Sequence, residues 1–225
     1  MSYRKSAVEY LFGDRNIQAP VICDPKVSPM SGVIESLFGL TVPHGKLAEC
    51  ISALEDGLRS IKETPYHAVL GRDFLHHIDD AAEFIAQFYQ GVTRNGPIGA
   101  MYFEMNGFTI NPDRWYFNGF AYEKGGTIWD LTWDTEWLNP WDAETDEFTL
   151  TGMELVQDAF RDYYCDDKQP LGIRLAGEIT EHLVVARFNQ LIGAAHRAAK
   201  ESCHGLFGLP VLSTAHDWDR LSPST

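Results

Sequence analysis

Two adjacent histidines and two nearby carboxylates form the densest group of chemically active side chains in the sequence. They are His76, His77, Asp79 and Asp80. Imidazole and carboxylate groups bind zinc or iron, and they also transfer protons in many hydrolases. One hypothesis is therefore a metal-assisted or acid–base hydrolase that uses these four residues together with distant carboxylates.

The spacing within this group argues against a metal centre. Metal-binding helices commonly place two ligands four residues apart, whereas adjacent histidines diverge by about 100° on a helix or about 180° on a strand. Asp79 and Asp80 are also typical of a helix start, where carboxylates meet unpaired amides and the positive end of the helix dipole. We therefore favour a structural role for the group and expect neither a metal nor another cofactor.

Nucleophilic catalysis has no local signature in the sequence. There is no GxSxG motif, no Gly-rich phosphate loop and no GxGxxG motif. Catalytic triads combine residues that are far apart in the chain, so a serine or cysteine paired with His67 or His216 stays an open alternative.

The centre of the chain is rich in tryptophan. Five of the six tryptophans lie between residues 115 and 141, namely Trp115, Trp129, Trp133, Trp137 and Trp141. Large rings dominate core burial and are also enriched in protein interfaces. The tryptophans of this region are therefore either core residues or part of a recognition surface.

The same region carries most of the negative charge. The formal net charge is −14, and residues 97–170 hold 15 acidic and 4 basic residues, which leaves −11 there. Nucleic-acid backbones and anionic membranes are bound through Lys and Arg, so neither is expected as a partner. A basic protein partner is favoured instead, because opposite charge steers association.

The leading hypothesis is thus an acidic cytosolic binding protein, an inhibitor or immunity-type protein that neutralises a basic partner such as a toxin. The residues expected to bind that partner are Asp130, Asp134, Glu136, Trp137, Trp141, Asp142, Glu144, Asp146 and Glu147. A structural domain that forms homo-oligomers through its aromatic face is a further alternative.

The predicted fold is α+β, with a central antiparallel β-meander flanked by N-terminal helices and two C-terminal helices. We expect one domain over 1–225, divided into a mainly helical part (1–95), the meander (96–150), a helical part (151–205) and a surface tail (206–225). Apolar spacing predicts helices over 2–12, 46–61 and 171–202. Alternating and β-branched runs predict strands over 66–70, 98–105, 115–123 and 127–138.

Two further helices are predicted from capping boxes, in which a first residue and an acid three positions on satisfy free amides. One box is Asp80 with Glu83, which opens a helix to about residue 91 or 93. The other is Thr151 with Glu154, which opens a helix to Tyr164 whose buried side includes Leu155 and Val156.

The expected location is the cytoplasm. The four cysteines are single and lack CxxC spacing, which fits reduced thiols. The N-terminus has no apolar signal core, and no apolar run approaches the ~20 residues that span a bilayer.

Overall fold

The computed structural model describes residues 47–108, 110–122, 143–163, 169–216 and 222–224. The mixed α+β character predicted from the sequence is confirmed. The predicted helix over 2–12 and the predicted strand over 127–138 lie outside the described residues. None of the described helices combines the length and the apolar character that crossing a bilayer requires.

The longest helix, α4 (Leu171–Ser202), packs against two others, α1 (Leu47–Ser60) and α2 (Ile78–Val92). A fourth, α3 (Glu154–Tyr163), follows the central strands. The sequence predicted all four, because apolar residues at three- and four-residue steps give each helix a face to bury. In α4 this face includes Ile179, Leu183 and Leu191, which are all buried.

Two details of these helices differ from the prediction. Helix α2 begins at Ile78, so Asp80 lies inside its first turn and makes no capping hydrogen bond. Helix α3 begins at Glu154, and its buried side holds Val156 but not Leu155, which is 57% exposed. The predicted start of α2 at Asp80 and the predicted burial of Leu155 are both wrong. Side-chain type alone determines neither the first residue of a helix nor which of its faces packs against the core.

The predicted strand over 66–70 is also wrong, because residues Pro65–Val69 form a 3₁₀ helix. Proline suits a first helical position, where its φ is preset and its missing N–H is not needed. His67 closes the turn, since its Nδ1 accepts a hydrogen bond of 3.0 Å from the Thr64 amide. Tyr66 and Val69 then reach the core from one turn.

The described strands form one six-stranded sheet. They are β1 (Ala100–Asn106), β2 (Trp115–Tyr122), β3 (Ala143–Glu144), β4 (Phe148–Leu150), β5 (Val211–Ala215) and β6 (Ser222–Ser224). The order is β3-β2-β1-β5-β6, and β4 also pairs with β2. Strands β1 and β2 are antiparallel, as the sequence predicted.

The sheet is nevertheless mixed, because β5 runs parallel to β1. The prediction of a purely antiparallel meander is therefore wrong. Within the predicted surface tail over 206–225, the residues of β5 are buried rather than exposed. Ser213 links β5 to α4, because its hydroxyl donates a hydrogen bond of 2.8 Å to Asn189 Oδ1 on α4.

Both faces of the central strands are buried. Phe103, Phe117 and Trp115 belong to the main core, in which Phe117 contacts Phe188 of α4. On the opposite face, Tyr102 and other apolar residues of β1, β2 and β5 form a second, smaller cluster. Trp115 is therefore a core residue, and the other four tryptophans of the 115–141 region lie outside the described residues.

Candidate functional site

Three of the nine residues predicted to bind a partner lie in the described part of the chain. Glu144 is in β3, and Asp146 and Glu147 are exposed between β3 and β4. The other six lie outside the described residues, namely Asp130, Asp134, Glu136, Trp137, Trp141 and Asp142. The described part of the predicted surface is therefore its edge at β2, β3 and β4.

Several carboxylates of the acidic region are already engaged within the chain. Glu147 forms an ion pair with Arg114, and Arg161 pairs with both Asp158 and Asp162. Asp146 is exposed and makes no ion pair with any described residue. The acidic surface is thus partly neutralised by its own arginines.

A groove of about 330 Å³ lies where the 110–114 turn meets β2. Its lining consists of Ile110, Asn111, Pro112, Asp113, Arg114, Tyr116 and Glu147. We call it the 110–116 groove. Ile110 is one of four large apolar side chains that stand out as exposed among the described residues, at 51%. The groove also contains Tyr116 and Arg114, and tyrosine and arginine are enriched in protein interfaces.

Arg114 sits inside this groove and makes two contacts. Its guanidinium carbon lies 4.7 Å from the centroid of the Tyr116 ring, and its Nη2 donates to Glu147 Oε2. A cation over an aromatic face is held by the ring quadrupole, and a carboxylate adds a charged hydrogen bond. The groove therefore already holds a guanidinium from its own chain.

The His76–Asp80 group is arranged differently from the expectation. The rings of His76 and His77 do not diverge but lie 4.0 Å apart between centroids. His76 Nε2 lies 3.3 Å from Thr151 Oγ1, and His77 Nε2 lies 3.1 Å from the same atom. Both residues lie in the 3₁₀ turn Leu75–His77 that precedes α2.

Thr151 does not cap α3 as predicted, because its side chain faces the two histidines. The Glu154 carboxylate instead accepts a hydrogen bond of 2.7 Å from the Gly152 amide. This bond and one from the amide of Glu154 itself hold the pKa of the Glu154 carboxyl below its ordinary value. The Glu154 carboxylate thus closes the turn from β4 to α3, and the Thr151 hydroxyl lies beside the two imidazoles instead.

The protonation of His77 is biased toward the neutral ring. Partial burial and then the neighbouring His76 lower the pKa of His77, against the opposing charge of Asp80. Asp79 and Asp80 themselves are exposed on the first turn of α2. Within the described ranges, no group of three or more His, Cys, Asp or Glu side chains is placed to hold a metal ion.

A third polar arrangement on the second sheet face was not predicted. His216 Nδ1 lies 2.8 Å from Glu104 Oε1, and the Tyr102 hydroxyl donates to Glu104 Oε2 at 2.8 Å. Parallel pairing of β1 with β5 brings these residues together, with Glu104 opposite Thr214. No sequence signal could have found the pair, because the two residues are 112 positions apart.

Comparison with protein-family models, with curated proteins and with solved structures finds no match to this chain.

Proposed function

We propose that the protein is an acidic binding module that docks a basic protein partner through the surface containing the 110–116 groove. The observation that carries the proposal is the exposure of Ile110 in a groove that also holds Tyr116 and the carboxylates of Asp113 and Glu147. Apolar and aromatic anchors supply affinity, and the surrounding charge selects the partner. An inhibitor or immunity-type role is the specific form of this proposal.

The electrostatic part of the proposal depends on the distribution of charge along the chain. Residues 97–170 hold 15 acidic and 4 basic residues. A basic enzyme that acts on a polyanion has a cationic cleft, so a carboxylate-rich surface is attracted to that cleft. The attraction acts over about 8 Å at physiological salt, which makes the association rate salt-dependent.

Arg114 supports a particular mode of contact. The chain's own guanidinium over Tyr116 and beside Glu147 marks the position that an arginine or lysine of the partner would take. Docking then requires Arg114 to leave, so Arg114 competes with the partner's cation.

Charge reversal tests the proposal. Asp113→Lys and Asp146→Lys should each slow binding of a fluorescein-labelled arginine-rich peptide by about tenfold at low salt and weaken its salt dependence. The same reversal at Asp134, Glu136, Asp142 and Glu144 should act in the same direction. Glu49→Lys is the matched control, because Glu49 is exposed on α1 outside the acidic region. Equal slowing by Glu49→Lys, or no slowing by Asp113→Lys and Asp146→Lys, would overturn the proposed surface.

Removal of the Arg114 cation should change the peptide affinity in the opposite direction. Arg114→Gln should strengthen peptide binding, because Glu147 and Tyr116 lose their internal partner. Arg94→Gln removes the same charge from an exposed position outside the groove and serves as the control. A gain of equal size in both variants would show that only net charge matters and would reject the groove as the contact.

A further inference from the structure

Two departures from local rules coincide at Thr151. A threonine that precedes an acid by three positions at a helix start commonly caps the helix, and adjacent histidines commonly diverge. Here the threonine turns away from its helix, and both imidazoles turn toward its hydroxyl. Local rules that fail without an evident gain in stability are most often broken at functional sites.

The distances are those of an activated nucleophile. His77 Nε2 lies 3.1 Å from Thr151 Oγ1, within the range of about 2.6–3.2 Å that joins a nucleophile to its general base. Thr151 is exposed, so a substrate can reach its hydroxyl. It lies in the tight turn between β4 and α3, which is the placement of the nucleophile in a strand–turn–helix elbow.

Gly152 is what allows this turn. Its φ is +93°, in the left-handed region that glycine adopts without strain. A Cβ on this residue would lie 3.0 Å from His76 Cε1, so a larger residue would push the His76 ring outward. Arg72 holds the turn from the other side, because its Nη1 donates to the Gly152 carbonyl at 3.0 Å.

The hydrogen bonds of Thr151 indicate the protonation state of His77. The Thr151 amide donates to His77 Nε2 at 3.0 Å, so that nitrogen carries a lone pair and His77 is neutral in this arrangement. The Thr151 hydroxyl can donate to the same nitrogen while its oxygen accepts from His76 Nε2. His77 Nε2 is therefore the group placed to take the hydroxyl proton, while His76 donates to the hydroxyl oxygen. The charged groups near these residues are Asp80 beside His77, and Arg72 and Glu154 near the turn.

We propose that Thr151 is a nucleophile activated by His77 and that it takes an acyl group from an uncharged ester. The hydroxyl oxygen bonds to the carbonyl carbon and its proton moves to His77 Nε2. The bond from that carbon to the leaving oxygen breaks, and the alcohol departs with the proton from His77. Water then cleaves the acyl-threonine ester by the same proton transfer, which releases the acid and restores the hydroxyl.

The substrate class follows from the surroundings. Asp80 and Glu154 flank the site, and the chain as a whole is strongly acidic, which disfavours anionic esters. The low pKa of His77 agrees with a base that is neutral near physiological pH. This activity is independent of the docking surface, since neither Thr151 nor either histidine lines the 110–116 groove.

The chain offers an internal control for the test. Thr149 is also exposed, two residues from Thr151, and forms no hydrogen bond with a histidine among the described residues. Wild-type protein is treated with p-nitrophenyl acetate at neutral pH, and the acetylated residue is mapped by mass spectrometry. The acetyl group is expected on Thr151, about 100-fold faster than on Thr149.

Variants separate catalysis from structure. Thr151→Ser should keep the labelling at position 151, Thr151→Val should abolish it, and His77→Gln should slow it by about 100-fold in a folded protein. The labelling rate of the wild type should rise with pH and level off once His77 is neutral. Equal labelling of Thr149 and Thr151, no adduct on Thr151, or an unchanged rate in His77→Gln would each overturn the proposal.

Discussion

The guanidinium of Arg187 on α4 lies 2.7 Å from the carboxylate of Glu55 on α1, and each side chain is less than 15% exposed, at 14% and 13%. Arg59 reaches the other oxygen of Glu55 at 2.8 Å. Burial alone would raise the pKa of Glu55, but the hydrogen bonds and charges of the two arginines outweigh it and leave the pKa below its ordinary value. Glu55 is thus the ionic link between two helices that are far apart in the chain.

Breaking this link from one side should destabilise the fold. Arg187→Met leaves a mostly buried carboxylate with only Arg59, so we expect a loss of about 2 kcal/mol in the free energy of unfolding. Glu55→Gln with Arg187→Met should lose less than the sum of the single changes, because the unpaired charge is gone. Urea unfolding of the four proteins measures the coupling, and strict additivity would contradict a direct interaction.

Gly119 should not accept a methyl group. A Cβ at this position would lie 2.6 Å from Phe103 Cε1 and 3.1 Å from Thr145 Cγ2. Gly119→Ala is therefore expected to cost about 2 kcal/mol through overpacking. In a Phe103→Leu background the added cost should be smaller, since the ring that blocks the methyl is removed. A cost unchanged by the loss of the ring would show that the clash lies elsewhere.

Two neighbours on α3 should respond very differently to truncation. Val156 is 0% exposed and Leu155 is 57% exposed. Val156→Ala should lower the free energy of unfolding by about 2 kcal/mol, whereas Leu155→Ala should change it by less than about 0.5 kcal/mol. Thermal or urea unfolding distinguishes the two, and a larger effect at Leu155 would mean that the helix is rotated from the described orientation.

His77 should make stability depend on mildly acidic pH. Its pKa in the folded protein lies below its ordinary value of 6.5, so the unfolded chain binds the proton more readily. The stabilisation from neutral His77 is therefore present above pH 6.5 and is lost as the pH falls from there toward the folded pKa. His77→Gln should flatten this slope in urea unfolding. The control His204→Gln alters an exposed histidine on another element and should leave the slope in place.

Several departures from prediction involve contacts between distant segments. The Glu104 and His216 pair requires β5 to run beside β1, although a long helix lies between them in sequence. The Thr151 and His77 contact joins residues 74 positions apart. Periodicity in a short window carries no information about such partners. The proposed acyl transfer depends on the contact between Thr151 and His77.

The sequence by itself determined the four described helices, the first two strands and the concentration of charge in the central region, because each depends on the spacing of nearby residues. Tertiary structure decided that Val211–Ala215 is a buried parallel strand, that Leu155 is exposed and that His76 and His77 converge on Thr151. The physical reason is that hydrogen bonding within a helix is local. Sheet pairing and side-chain convergence are instead selected by the packing of the whole core.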